Sequence, residues 1–312
     1  MRSLSALALV LLLPAFAYAE EGITIVTPLA KDGASFDKER TDFLINKASL
    51  EAYQAIDGVD AASRVPGVSL QRTNRGAGTP LIRGFSGPQN LVFVDGVRFD
   101  LSTFRTGPNQ YAALSDTLGF ESVAVTLGPG AVLFGSGAMG GVLRYQSEAL
   151  AREEGFGGRV IGRFASADSA FEGGLRLGGR KGPLAAWVGG SVQHYGTLRT
   201  GGKAKLPLSA FDRVNWRAKV GVDLGADWVL SSAYLATRLH EAYRIDKLAK
   251  GDVRRYDNDD HLVYLSLRRQ RTSGLVRDLN LILSYHHLDD RVTRYGCERN
   301  ISGATADLDA CV

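Results

Sequence analysis

Two cysteines and nine prolines in 312 residues are too few for a disulfide-dense secreted scaffold. The net charge is only +4, with no basic run and no aromatic-rich basic motif, so nothing supports nucleic-acid binding. Beyond the segment that precedes Glu20 there is no uninterrupted apolar stretch of about 18 residues, which argues against a membrane-crossing helix. Five scattered histidines, and no serine or cysteine nucleophile in a recognisable turn, leave catalysis without a motif, and no enzyme is expected.

What is present begins with a targeting pattern. Arg2 supplies a positive start, Leu7 to Leu13 an apolar core, and Ala17-Tyr18-Ala19 a small-x-small cleavage site. The mature chain is expected to begin at Glu20, and an exported chain without a spanning helix enters a membrane only as a closed barrel. Cys297 and Cys311 then meet an oxidising compartment, and the 13 residues between them allow one looped bridge. Two unpaired thiols in a frayed tail are the alternative.

Glycine, with 37 copies, carries the strongest pattern. Leu81 to Arg98 reads LIRGFSGPQNLVFVDGVR: an apolar strand, Asn90 to Val94, runs into Asp95-Gly96, a dipeptide suited to the positive φ angles of a tight hairpin. Leu127 to Leu143 reads LGPGAVLFGSGAMGGVL, apolar pairs set between Gly128, Pro129, Gly135, Gly137, Gly140 and Gly141. Residues 135–140 formally match GxGxxG. Gly141 to Gln146 continues as a β-prone strand, however, where phosphate binding needs a helix N-terminus, so close backbone packing is the better reading.

Four segments follow from the pattern: a signal peptide at 1–19, a polar lead at 20–40, an α+β domain at 41–150, and antiparallel strands at 155–312. A helix is expected at Asp57 to Ser63, stopped by Val65-Pro66-Gly67. Strands are expected at Glu121 to Leu127 and Val142 to Gln146. About seven transmembrane strands follow, at Arg159–Ala165, Ala170–Arg180, Leu184–Tyr195, Phe211–Leu224, Trp228–His240, His261–Gln270 and Leu279–Leu288. Phe211 to Leu224 is the clearest of them. Val214, Trp216, Ala218, Val220, Val222 and Leu224 share one parity, and Arg213, Asn215, Arg217, Lys219 and Asp223 share the other. A lipid-facing Lys or Arg near mid-bilayer costs about 2 to 4 kcal/mol, so the charged parity belongs to the lumen. Short connections at 181–183, 225–227 and 271–274 alternate with long ones at 196–210 and 241–258, as periplasmic turns and external loops do.

The two glycine-punctuated segments resemble the plug domain of TonB-dependent outer-membrane receptors, with Asp95, Gly96, Gly128, Pro129, Gly135, Gly137, Gly140 and Gly141 as the plug signature. The resemblance implies an α+β plug inside an antiparallel transmembrane β-barrel of about 22 strands, of which this chain holds the N-terminal part. It makes Ile23, Thr24, Ile25, Val26 and Thr27 a TonB box, a β-prone segment outside any sheet that is offered to a TonB-type energy-transducing protein; an ordinary β-prone terminus is the alternative. It makes Arg83-Gly84 a plug latch onto wall carboxylates. The family's arginine before Gly-Pro and its acidic residue in the preceding strand are replaced here by Leu127 and Ala124, which implies an altered second half of that latch. Plug loops at 72–79 and 99–111 would face outward, giving Arg72, Arg75, Phe99, Phe104, Arg105 and Tyr111 as ligand candidates for an anionic or planar aromatic cargo such as a ferric catecholate. His286-His287 with Asp257 to Asp260 raises haem or metal contact as a further reading, although alternation turns only one of the two histidines inward. The implied function is energised uptake of a scarce nutrient, foremost a ferric siderophore or other iron chelate, with haem and cobalamin as further cargoes. No cofactor is expected beyond iron in the cargo. The competing readings are a plugged receptor or adhesin that does not transport, and a nonfunctional truncated receptor.

Overall fold

The computed structural model describes residues 24–26, 41–99, 110–199, 201–202, 204–225, 227–246, 248, 251–270 and 278–296. Two bodies are built from them. The N-terminal one contains a six-stranded sheet in the order β1-β2-β7-β8-β5-β6, from β1 (Thr24–Val26), β2 (Thr41–Asn46), β5 (Asn90–Val94), β6 (Val97–Arg98), β7 (Phe120–Leu127) and β8 (Gly141–Ser147). Every pairing is antiparallel except β5 with β8. A two-stranded sheet, β3 (Val68–Gln71) with β4 (Thr79–Ile82), and three helices, α1 (Lys47–Tyr53), α2 (Gly58–Ala62) and α3 (Ala131–Phe134), complete it.

Local chemistry sets these boundaries. Asp57 caps α2 by accepting from the Asp60 amide at 2.9 Å, while Asp60 accepts from the Ile56 amide at 3.0 Å, a reciprocal cap that fixes where the helix starts. The helix ends at Ser63, just ahead of Val65-Pro66. At the β5–β6 turn, Asp95 (φ 52°) and Gly96 (φ 83°) both take the left-handed conformation that the Asp-Gly pair tolerates. Val59, Ala61 and Ala62 of α2, Val123 and Val125 of β7, and Leu143 and Tyr145 of β8 form the buried core between helix and sheet.

The second body is a seven-stranded antiparallel sheet in chain order: β9 (Gly155–Ala165), β10 (Ala170–Lys181), β11 (Leu184–Tyr195), β12 (Phe211–Gly225), β13 (Trp228–Tyr243), β14 (Asp252–Gln270) and β15 (Asp278–Gly296). Its parity is the one expected from β12. Trp216, Val220 and Leu224 are exposed on one face, whereas Arg213 and Asn215 are fully buried on the other, against the N-terminal body. The glycine-rich β11 obeys the same rule: Ala185, Trp187, Ser191, Gln193 and Tyr195 point inward, and Leu184, Val188 and Val192 point outward.

Three expectations are corrected. The connection at 241–258 is mostly strand, because β13 and β14 stay paired past a bulge through Ala242↔Tyr256 and Tyr243↔Arg255. Asp257 to Asp260 therefore lie in β14 and not in an external loop. Apolar alternation ends where both faces of a strand become polar, but the backbone ladder needs no apolar face to continue. Thr24–Val26 does not lie outside a sheet either. It pairs antiparallel along the free edge of β2 (Thr24↔Leu44, Ile25↔Phe43, Val26↔Asp42), as a β-prone segment does when an unpaired edge is in reach.

Candidate functional site: the interface between the N-terminal domain and the wall

The inward parity of β9 to β12 is basic, and carboxylates of the N-terminal domain meet it. Asp116, fully buried, pairs with Arg217 of β12 and accepts from the Ser191 hydroxyl of β11. Burial alone would raise this carboxyl; the Arg217 guanidinium and the Arg217 and Ser191 hydrogen bonds outweigh it and hold it below the usual carboxylate range. Arg217 passes directly over Gly119, where any β-carbon would collide with the guanidinium, and stacks on Phe120 at 4.7 Å. Only glycine leaves room for this approach.

Other pairs repeat the arrangement. Glu51 of α1 meets Arg159, and Glu148, just after β8, meets both Arg176 and Lys47. Arg213 is fully buried and donates to the carbonyls of Ile56 at 3.1 Å and Gly76 at 3.3 Å. Asp95 accepts from the Ser147 amide at 2.7 Å, the Ser147 hydroxyl at 2.5 Å, the Gln146 amide side chain at 3.0 Å and the Tyr264 hydroxyl of β14 at 2.8 Å. Lys219 of β12 stands 3.6 Å from the same carboxylate.

The described ligand candidates are engaged in scaffold contacts. Arg72 donates to the Arg75 carbonyl at 2.8 Å and pairs with Asp57 at 2.8 Å. Arg75 is buried, paired with Asp168 between β9 and β10, bonded to the Gly196 carbonyl at 2.8 Å, and placed over the rings of Tyr195 and Phe211. Phe99 is buried against the His286 ring, centroids 4.5 Å apart. Tyr111 is buried and donates to Asp290 of β15. Phe104 and Arg105 lie outside the described residues. Loop 72–79 does reach the long-connection rim, since the Ile245 amide donates to the Thr73 carbonyl at 3.1 Å. His286, on the inward parity, pairs with Asp260 at 2.6 Å, and His287 is exposed.

Arg83 is exposed with φ 52°, its amide donating to the Gly67 carbonyl at 2.8 Å, and its side chain has no partner among the described residues. Gly84 follows with φ 82°. In the second glycine segment, Gly128, Gly135 and Gly137 have positive φ, Pro129 is exposed, and Gly140 and Gly141 sit where a β-carbon would strike the Ile82 carbonyl or the Thr126 carbonyl. A four-residue helix, α3, precedes Gly135 and strand β8 follows Gly141. Ile23, Thr27, Cys297 and Cys311 lie outside the described residues.

Residues 39–142 match the family model of the TonB-dependent receptor plug domain. The hemin receptor of Yersinia pestis is 26% identical over 180 residues, which are 56% of this chain and 26% of that protein. Residues 39–142 are thus a TonB-dependent receptor plug domain. The vitamin B12 transporter BtuB of Vibrio vulnificus is 33% identical over 114 residues, 36% of this chain and 18% of the transporter. The solved structures agree in fold. The hemophore receptor HasR of Serratia marcescens superposes with a TM-score of 0.70 at 18% identity, over 81% of this chain and 38% of that one. The copper transporter OprC gives 0.68 at 18%, over 92% and 40%. The chain spans about a quarter of the length of the hemin receptor it matches. These relatives are receptors and transporters rather than enzymes.

The N-terminal domain is thus the plug, and the seven strands are part of its barrel wall. Sequence reasoning found the wall's half of the interface, Arg213, Arg217 and Lys219, from parity alone. It missed the plug's half. Glu51, Asp116 and Glu148 stand in no motif, and Asp95 was read only as a turn residue. A local signal existed for Asp116 alone: an acidic residue ahead of a glycine that no positive φ requires.

Proposed function

We propose that the full receptor resides in the outer membrane after cleavage of the signal peptide at Glu20, and that it imports a scarce nutrient, foremost an iron chelate, by energy-driven movement of the plug. The observation that carries this reading is the seating of the plug. A folded domain fills the inward side of a membrane wall, bound by buried ion pairs, and its leading strand lies at the edge of its sheet. A domain held this way blocks the lumen at rest and needs work from outside to shift.

The segment Ile23 to Thr27 takes the coupling role for a TonB-type partner. An edge strand with three registered residues is held weakly enough to be drawn off and added to another sheet. Arg83, exposed and with no side-chain partner among the described residues, takes the role of a latch onto wall carboxylates. The segment 99–111, whose described residues Phe99 and Tyr111 contact His286 and Asp290, takes the cargo-meeting role; the hemin receptor and vitamin B12 transporter relatives make haem and cobalamin the cargoes to compare with iron chelates. Cys297 and Cys311 pair as one bridge on export.

Deleting residues 23–27 from the full-length receptor is expected to abolish uptake and leave ligand binding at the cell surface intact. Uptake at the wild-type rate would overturn the coupling role. Growth of a deletion strain on single iron chelates, haem or cobalamin names the cargo by the one source on which growth is lost, and growth on all of them overturns nutrient uptake.

A further inference from the structure

A cavity of about 640 Å³, lined by polar and apolar groups together, lies between the plug and strands β10 to β15. It reaches the short-turn rim, where residues 149–152 lead from plug to wall and Asp227 lies in the β12–β13 turn. Ser231, Ser266, Asn280 and Gln146 supply hydroxyls and amides, and the cations Arg152, Arg180, Lys219 and Arg268 stand among the carboxylates Asp95, Asp223 and Asp227, so the lining admits water and hydrated ions. A smaller cavity of about 30 Å³ lies on the other side of the same contact, between Val94, Phe99 and Tyr111 of the plug and Asp260 and Leu262 of β14. Successive inward residues of β14 therefore run from Ser266 in the large cavity, past Tyr264, to Leu262 and Asp260 in the small one. Tyr264 and Asp95 stand between the two.

We propose that Asp95, Tyr264 and Lys219 form the closure on a passage that runs between plug and wall along the inward face of β12 to β14, from the Phe99–Tyr111 loop to the short-turn rim. The proposal rests on the transport reading and adds to it the route and the residues that shut it. The carboxylate of Asp95 is divided between two duties. Its Oδ1 accepts from the Ser147 amide and Gln146, both on the plug. Its Oδ2 accepts from the Ser147 hydroxyl and also faces Tyr264 and Lys219, both on the wall. Freeing Oδ2 from the wall leaves only the Lys219 ammonium on the Ser147 hydroxyl, at 3.2 Å, to join plug and wall here, while Oδ1 still fixes the plug's own turn. Closure thus rests chiefly on one oxygen atom of a turn that is otherwise self-supporting.

That division selects the test. Asp95→Asn keeps an acceptor at Oδ1 and tolerates the left-handed backbone at φ 52°, but it sets an NH₂ against the Lys219 ammonium. Tyr264→Phe removes the other wall bond without touching the plug. The control is Asp168→Asn, which breaks the buried Arg75–Asp168 pair between plug and wall, neither residue of which lines either cavity. Purified full-length receptors in planar bilayers are read by potassium chloride conductance, with protease protection of the plug reporting that it is folded in place. Asp95→Asn and Tyr264→Phe are each expected to raise conductance at least tenfold over wild type, and Asp168→Asn to leave it unchanged. Wild-type conductance in both closure variants with a protected plug would overturn the proposal, as would equal conductance in the Asp168→Asn control. The outcomes separate from those of the transport reading: uptake that survives deletion of residues 23–27 removes energised transport and leaves the closure standing, while closed Asp95→Asn channels remove the closure and leave transport standing.

Discussion

The two sides of the wall hold the plug in opposite ways. Along β9 to β12 the wall contributes the cations of four pairs, Arg159, Arg176, Arg217 and Lys219, and the plug the carboxylates, Glu51, Glu148, Asp116 and Asp95, while Asp168 in the β9–β10 turn reverses the order by receiving Arg75 of the plug. Along β14 and β15 the wall contributes Asn258, Asp260 and Asp290, and the plug answers with the Tyr111 hydroxyl and, through His286, the Phe99 ring. Charge against charge on the first side leaves a buried ion stranded when a partner is lost. A neutral hydroxyl on the second side leaves far less behind. The difference divides the plug into a face that is expensive to detach and a face that detaches readily, and Phe99 and Tyr111 of the segment proposed to meet cargo belong to the second.

The comparison breaks first at Asp116. Asp116→Ala strands Arg217 in a dry site and is expected to cost about 3 to 5 kcal/mol in denaturant unfolding of the chain. Because the folded-state carboxyl titrates below its unfolded value near 4, the unfolded chain binds the proton first as pH falls. The contribution is therefore complete above about pH 5 and is lost only as pH drops through the lowered folded-state value. A wild-type advantage that already shrinks between pH 8 and pH 5 would assign the effect to another group. On the opposite side, Tyr111→Phe is expected to cost about 1.5 kcal/mol, the range of a hydrogen bond to a charged acceptor, since Asn258 still donates to Asp290 at 2.8 Å. A loss equal to that of Asp116→Ala would erase the distinction between the two faces. The smallest effect belongs to the outward parity, where Arg238 and Asp259 pair at 2.6 Å in an exposed position. Arg238→Ala is expected to leave the unfolding midpoint of the same assay unchanged within error.

Strand parity was legible because lipid and lumen impose opposite chemistry on alternate side chains, so Val220 and Lys219 announce their faces without knowledge of any partner. The Asp95-Gly96 turn was legible because only a few residue pairs accept its backbone. Strand ends beyond the lipid were not. Ala242 and Tyr256 are buried, but residues 252–260 around Tyr256 carry polar side chains on both parities, so no apolar alternation marks the strand. Nor could the partners of Asp116 or Arg75 be read, since they are set by how the plug is turned within the wall, and no local pattern encodes that rotation. Arg75 shows the cost of reading composition alone: a cationic side chain on a glycine-rich loop suits an anionic cargo, and here it is occupied by Asp168 and two aromatic rings.

The pairs that seat the plug join residues far apart in the chain: Asp116 and Arg217 are separated by 101 positions, Asp95 and Tyr264 by 169, and Tyr111 and Asp290 by 179. The core of the plug is complete by Ser147, before any of these wall residues has been synthesised. Until the wall closes around the plug, its interface carboxylates have no wall guanidinium in reach and stay hydrated, so the dry Asp116 site forms only with that closure. The same carboxylates that lock the seated plug therefore face water until it is seated.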